Sequence, residues 1–186
     1  MPDAPHTRQG HLVLVVGPSG AGKDTLINGA RETLAQQHTL RVVRRVVTRI
    51  SSQWEDHDSL DVGTFLAQQQ AGAFALHWQA HGLHYGIPAI ISQWLGAGDS
   101  VICNCSRAAI KQARERFPDV VVVLVTASKD ILAARLAGRA RETTLSTRLE
   151  RGIKLEEDFV PDYTIFNDGA PATAIAEFVR ILEALH

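Results

Sequence analysis

The residues most plainly arranged for chemistry are Gly17-Pro18-Ser19-Gly20-Ala21-Gly22-Lys23, the spacing G-x-x-x-x-G-K of a phosphate-binding loop. Glycines let a backbone curl until successive N–H groups point inward at phosphate oxygens, and the N-terminus of a following helix adds partial positive charge. Lys23 has the reach to meet the β- and γ-phosphates of a nucleoside triphosphate and to offset charge during transfer. Such a loop needs a strand before it and a helix after it. His11 to Val16 is a short apolar run that ends at the glycines. Leu26, Ile27, Ala30 and Leu34 then recur at helical spacing within Lys23 to Gln37. Gly17 through Thr25 is therefore the candidate ATP site.

One position departs from the pattern. Where a Ser or Thr would follow the lysine and touch Mg2+, this chain has Asp24, with Thr25 next. Two readings stay open. The carboxylate acts on Mg2+, directly or through water, or Asp24 is an acidic residue favoured in the first turn of a helix.

Arginines form two groups. Arg135, Arg139, Arg141, Arg148 and Arg151 fall in one short stretch. Arginine grips phosphate bidentately and keeps its charge at any working pH, so this group suits a lid that closes over a triphosphate and excludes water. The alternative is a solvated helix face paired with Glu142, Glu150, Glu156 and Glu157. Arg44, Arg45 and Arg49 make a smaller group at the end of the second strand, on the acceptor side. His77, His81 and His84 fit no standard zinc spacing and read as polar pocket lining, in what reads as a loop around Gly82 and Gly86.

Strands and helices alternate around these residues. Val42 to Val47 reads as a second strand, Leu60 to Ala71 as a short helix with Asp61 near its start, Phe74 to Gln79 as extended, and Pro88 to Leu95 as a helix opened by its proline. Ser100 to Asn104 is a strand and Arg107 to Phe117 a helix. Val120 to Thr126 is apolar without alternation, as a strand covered on both faces should be. Lys129 to Leu136 and Thr147 to Glu157 read as helices, Tyr163 to Phe166 as a last strand and Ala172 to Leu185 as a last helix. The pattern predicts an α/β fold, a parallel sheet flanked by helices, in a single domain of 186 residues. Residues of about 44–87 interrupt the alternation and read as an inserted acceptor-binding region; about 137–146 reads as a mobile lid, and 1–10 as a loose tail without a signal-peptide pattern.

Composition narrows the partners. Lys plus Arg is 19 and Asp plus Glu is 20, a formal net charge of -1, so the basic excess of a nucleic-acid binder is missing. Apolar runs such as Val120 to Val125 fall far short of the roughly 18 residues a membrane span needs. Cys103 and Cys105 lie two apart on one strand face, where they cannot pair, and read as small buried residues in a reducing cytoplasm.

In chain order, Gly17 to Lys23, Thr48-Arg49, Gly82-Leu83-His84-Tyr85-Gly86, the lid arginines and Asn167-Asp168 resemble the guanylate kinase family over nearly the whole chain. The resemblance implies a P-loop NTPase fold with ATP and Mg2+. It assigns Arg49 and Tyr85 to the acceptor phosphate, Arg135, Arg139, Arg141 and Arg148 to the transferring phosphate, and Asn167 to the neighbourhood of adenine. The family's Y-G-T-S is here Tyr85-Gly86-Ile87-Pro88, its guanine-reading Glu falls at about Gln79, and the acidic residue that closes the central strand is replaced around Asn104. Phosphate grips are kept and base grips are gone, and a site built to hydrogen-bond a base loses heavily without them.

Lys23-Asp24-Thr25, Glu55-Asp56-His57, Phe74-Ala75-Leu76-His77-Trp78 and His84-Tyr85-Gly86-Ile87-Pro88 are similar to a narrower family, the ribose 1,5-bisphosphate phosphokinases of bacterial phosphonate breakdown. That resemblance implies a small sugar-phosphate acceptor beside ATP; by their polarity and location, Asp56, His57, His81 and His84 are candidates for gripping the ribose hydroxyls or the 5-phosphate. The rival readings are a true guanylate kinase, a kinase of another phosphorylated sugar, and a non-catalytic binding module, against which Lys23 and the lid arginines argue.

Overall fold

A computed structural model of the chain describes residues 10–37, 39–50, 57–139 and 159–185, the side chain of Arg139 aside. Its centre is β1 (Leu12–Val16), buried at every position. Even residues Leu12, Leu14 and Val16 enter one core and odd residues Val13 and Val15 the other, as the two-residue period of a strand covered on both faces requires. β1 lies third in a five-stranded parallel sheet, ordered β2 (Leu40–Val43), β7 (Ser100–Asn104), β1, β8 (Val120–Thr126), β9 (Tyr163–Phe166). On the odd-residue face, α1 (Lys23–Thr33) contributes Leu26, Ile27 and Ala30, and α6 (Pro171–Ala184) contributes Phe178 and Leu182. Fully burying one such Leu, Ile or Phe stabilises by about 1.5–3 kcal/mol.

On the even-residue face, α3 (Ile90–Gly96) supplies Ile91 and Leu95, and α4 (Ile110–Arg116) supplies Ile110 and Ala113. A second sheet shares this core. Its order is β4 (His57–Ser59), β3 (Arg45–Val47), β6 (Leu83–Pro88), β5 (Phe74–Ala80), with β3 parallel to β4 and antiparallel to β6. Val47, Leu76, Trp78, Tyr85 and Ile87 from this sheet pack against the same cluster. α2 (Val62–Gln70) seals the far side, where Phe65 stacks on Phe74 with ring centroids 4.5 Å apart. Its N-cap is Asp61, which accepts from the Thr64 N–H at 2.9 Å. α5 (Lys129–Arg139) follows β8.

Several boundaries differ from the sequence expectation. Val42 to Val47 is two strands parted at Arg44: β2 pairs with β7 of the main sheet, and β3 turns into the second sheet to pair with β6. Pro88 does not open a helix. It ends β6, paired with Phe74, and α3 begins at Ile90. The expected loop around Gly82 to Gly86 is mostly strand; only His81 and Gly82 form a turn, with φ of 53° and 74° between the paired Ala80 and Leu83. Two successive left-handed residues match the twist of the flanking strands. α1 ends at Thr33, and the helix expected at Arg107 opens with a 3-10 turn, Arg107–Ala109, capped by the Ser106 hydroxyl. Gly10, expected in the tail, is buried and donates its N–H to the Leu95 carbonyl. Of the expected lid, 137–139 belong to α5; the remainder and the expected helix at Thr147 to Glu157 lie outside the described residues. Cys103 and Cys105 are buried without a disulfide. The Cys103 thiol is pushed well above its ordinary range, first by hydrogen bonding with Cys105 and then by burial.

Candidate active site

The phosphate-binding loop spans the gap between β1 and α1. Gly17, at φ 145°, presses against the Val125 carbonyl of β8, and Gly22, at φ 93°, against the side-chain amide of Asn167, so a β-carbon at either would collide. The loop is thus clamped from the strand on one side and the end of β9 on the other. Gly22 is the N-cap of α1 and accepts the Leu26 N–H at 3.0 Å, which aims the start of the helix at the loop.

Lys23 folds back across this loop. Its Nζ donates to the carbonyls of Gly17 and Pro18, each at 2.9 Å. Burial lowers its pKa to about 8; Asp24 and Cys105 oppose that shift, while the charges of Arg45 and Arg107 add to it. Arg45 comes from the second sheet and Arg107 from the turn after β7. Three cations from three elements therefore converge where a polyphosphate would bring compensating charge.

Two residues brace the loop from behind. Asn167 is 3% exposed; its Nδ2 donates to the Ala21 carbonyl at 2.8 Å, and its backbone N–H donates to Thr126. Arg135, on α5, donates to the carbonyls of Asn167 at 2.9 Å and Gly20 at 3.4 Å. Asp168 accepts from the Ser128 N–H at 2.6 Å and ties the end of β9 to the start of α5.

Asp24, one residue into α1, accepts from the Asn104 side-chain amide at 2.6 Å. Asn104 Oδ1 is buried and has no hydrogen-bond partner among the described residues. A carboxylate and an uncompensated amide oxygen side by side are hard oxygen donors of the kind Mg2+ takes, usually one or two from protein with the rest from phosphates and water. The residues present therefore fit the ion that accompanies ATP.

The acceptor candidates gather on the second sheet. The Thr48 N–H donates to the His84 carbonyl at 3.0 Å, and the His84 N–H donates to the Thr48 hydroxyl at 2.9 Å. Arg49 therefore leaves β3 directly beside His84 and Tyr85. Tyr85 is buried and stacks on Trp78, ring centroids 5.3 Å apart and planes within 4°. Gln79 Nε2 lies 3.2 Å from His84 Nδ1. His57 is 1% exposed, with Nδ1 3.2 Å from the Asp58 carbonyl; since that oxygen only accepts, Nδ1 carries the proton. Desolvation lowers its pKa, the Asp58 bond opposes this, and Arg49, Arg45 and Arg44 lower it further, which groups the three arginines around one ring. His81 is at the exposed tip of the β5–β6 hairpin. Asp56, Arg141 and Arg148 lie outside the described residues, as does the Arg139 side chain. Arg107 and the contact of Asn104 with Asp24 were not legible beforehand. Arg107 is a lone arginine in no motif, and its only signal is position just past the C-terminal end of a parallel strand, where ligands of α/β sheets bind.

No family model matches the chain. Ribose 1,5-bisphosphate phosphokinase PhnN of Rhodopseudomonas palustris is 45% identical over 93% of this chain and 88% of its own. The protein of the same name from Acidiphilium cryptum is 48% identical over 94% and 93%. Among solved structures, guanylate kinase from Anaplasma phagocytophilum superposes with a TM-score of 0.71 at 19% identity, covering 95% of this chain and 86% of that one, a likeness of fold. With a P-loop NTPase fold, and with identity of this order over nearly its full length, the chain belongs to the ribose 1,5-bisphosphate phosphokinase family.

Proposed function

We propose that the chain transfers the γ-phosphate of ATP to the 1-phosphate of ribose 1,5-bisphosphate, giving 5-phosphoribosyl 1-diphosphate and ADP. The observation that carries this reading is the 45–48% identity to ribose 1,5-bisphosphate phosphokinases over 93–94% of the chain. An oxygen of the 1-phosphate attacks Pγ, a new P–O bond forms, and the bond from Pγ to the β,γ-bridging oxygen breaks to release ADP. A phosphate monoester has its second pKa near about 6, so the nucleophile is already ionised at neutral pH and no general base is needed. Catalysis reduces to positioning and charge.

Gly17 to Thr25 cradle the donor phosphates, and Lys23 leaves its two carbonyls to follow the charge that moves onto the β,γ-bridge. Arg45, Arg49, Arg107 and Tyr85 serve the acceptor side, and Arg139, Arg141 and Arg148 the transferring phosphate, while Arg135 acts through the loop whose Gly20 carbonyl it holds. Asp24 would hold the Mg2+ that accompanies ATP, which when bound neutralises phosphate charge. Two observations weigh against guanine as acceptor. Ile87 is wholly buried and has no hydroxyl, and Gln79 is exposed and engaged with His84. No described helix is long and apolar enough to cross a membrane, and two buried thiols without a disulfide suit the cytoplasm.

Phosphorus NMR of the protein with ATP, Mg2+ and ribose 1,5-bisphosphate tests the assignment. Loss of the anomeric monoester signal and growth of a diphosphate, matched by ADP, is the expected result. Faster transfer to GMP than to ribose 1,5-bisphosphate would overturn it.

A further inference from the structure

Asp24 and Asn104 are 80 positions apart, and the fold joins them. Val15 of β1 pairs with Asn104 of β7, and the Cys105 N–H donates back to Val15. This register sets the end of β7 beside the first turn of α1, where the Asn104 Nδ2 meets Asp24 Oδ1 at 2.6 Å. An N–H that donates to an ionised oxygen makes a short, strong bond and fixes the carboxylate in place. The other end of the same amide, Oδ1, is buried with no hydrogen-bond partner among the described residues, an arrangement that costs stability. A stability argument alone would remove that cost, since an apolar side chain would fill the place.

P-loop NTPases hold their cation with a hydroxyl at the start of the helix and a carboxylate at the end of a neighbouring strand. This chain has one carboxylate and one neutral oxygen at the equivalent pair of places, in the opposite order. We propose that Asp24 and Asn104 are an exchanged cation pair: the single negative charge sits on α1, and Asn104 orients it from β7 while keeping a neutral oxygen at the site. The exchange keeps the local charge constant. Either change alone would not: Asn104→Asp would set two carboxylates against each other, and Asp24→Ser would leave no carboxylate in the pair.

The inference rests on the kinase reading, and the test separates the two. Mn2+ is the probe, followed by electron paramagnetic resonance with the full chain and ADP, beside calorimetric titration of ADP without metal. Asp24→Ser, and separately Asn104→Leu, should weaken Mn2+ in the ADP complex on the order of 10–100-fold. Asn104→Asp alone should melt lower without metal and recover with it. The double variant Asp24→Ser/Asn104→Asp should regain wild-type Mn2+ affinity. A folded double variant that binds Mn2+ no better than Asp24→Ser overturns the proposal. Should the double variant not fold, Asn104→Leu decides, since unchanged Mn2+ affinity there removes Asn104 from the site. A wild-type chain that binds no ADP defeats the kinase reading instead.

Discussion

The Lys23 ammonium lies 2.9 Å from the carbonyl oxygen of Gly17, the residue that opens the loop Lys23 closes. That enclosure lowers the lysine pKa to about 8, within reach of ordinary assay conditions. Free enzyme therefore loses the charge as pH rises through about 8, while bound phosphates restore it. The value of kcat/KM for ATP, which reports the free enzyme, should fall above that pH, and kcat should hold further into alkali. Lys23→Arg should abolish the inflection, because guanidinium does not titrate there. Arg45→Ala and Arg107→Ala each remove a repelling charge and should move it upward. A wild-type profile flat to pH 10 would contradict the geometry.

Removing the amine should separate activity from stability. Losing one preorganised charge contact costs on the order of 100-fold in rate, so Lys23→Ala should nearly abolish turnover. Its melting temperature should be unchanged or higher. The folded pKa is below the ordinary 10.5, so between about 8 and that value the unfolded chain holds more protons and wild-type stability rises with pH. Lys23→Ala should flatten that rise in a denaturant series across pH 7.5 to 11. A variant with half the parental rate would place the donor elsewhere.

Local signals were readable and tertiary ones were not. The loop from Gly17 to Lys23 is a contiguous pattern, and β7, β8 and β9 have the boundaries their apolar runs announce. The break at Arg44 is invisible in a run of valines and arginines, because both pieces are good strands and only pairing assigns them to different sheets. Pro88 carries the residue type of a helix start, yet pairing with Phe74 makes it a strand end. Asn104 showed only as a departure from a resemblance, and its contact with Asp24 exists only once β1 and β7 are paired. Arg107 and Arg45 converge on Lys23 from two different elements, which no spacing reveals.

Gly22→Ala and Gly20→Ala make an internal comparison. Both glycines hold left-handed φ, 93° and 85°, which costs an alanine about 1–2 kcal/mol. At Gly20 a β-carbon would meet Leu136 Cγ at 3.4 Å, a contact a side chain can accept. At Gly22 it would collide with the Asn167 amide and break the clamp on the loop. Gly22→Ala should therefore lower both melting temperature and ADP affinity more than Gly20→Ala. Equal losses would mean that strain alone matters.

His57 should give the fold an acid-sensitive limb. Its pKa is lowered below the ordinary 6.5, chiefly by desolvation, so the folded state favours the neutral ring. Below 6.5 the unfolded chain takes up the proton first, so this contribution is complete above that pH and is lost as pH falls through the folded value. Urea midpoints should drop between pH 7 and 5, and His57→Gln should show a shallower drop. An identical slope would assign the acid limb to other groups.

Asn167 can be a base contact or a brace, and donor specificity separates the two roles. The resemblance assigns it to adenine, yet its amide is buried and donates to Ala21, while Arg135 holds its backbone carbonyl. A brace acts on the phosphates that every nucleoside triphosphate shares. Asn167→Ala should then weaken ATP and GTP by the same factor, close to tenfold if the lost bond is worth about 1–1.5 kcal/mol. Asn167→Asp should be worse, because a carboxylate would face the Ala21 carbonyl in a buried place, unpaired or forced to protonate. Raising pH should deepen that defect, since the charged form is the one the site rejects. Affinities for ATP and GTP measured by calorimetry at pH 6 and 8 decide the matter: a loss confined to ATP, with GTP untouched, returns Asn167 to the adenine.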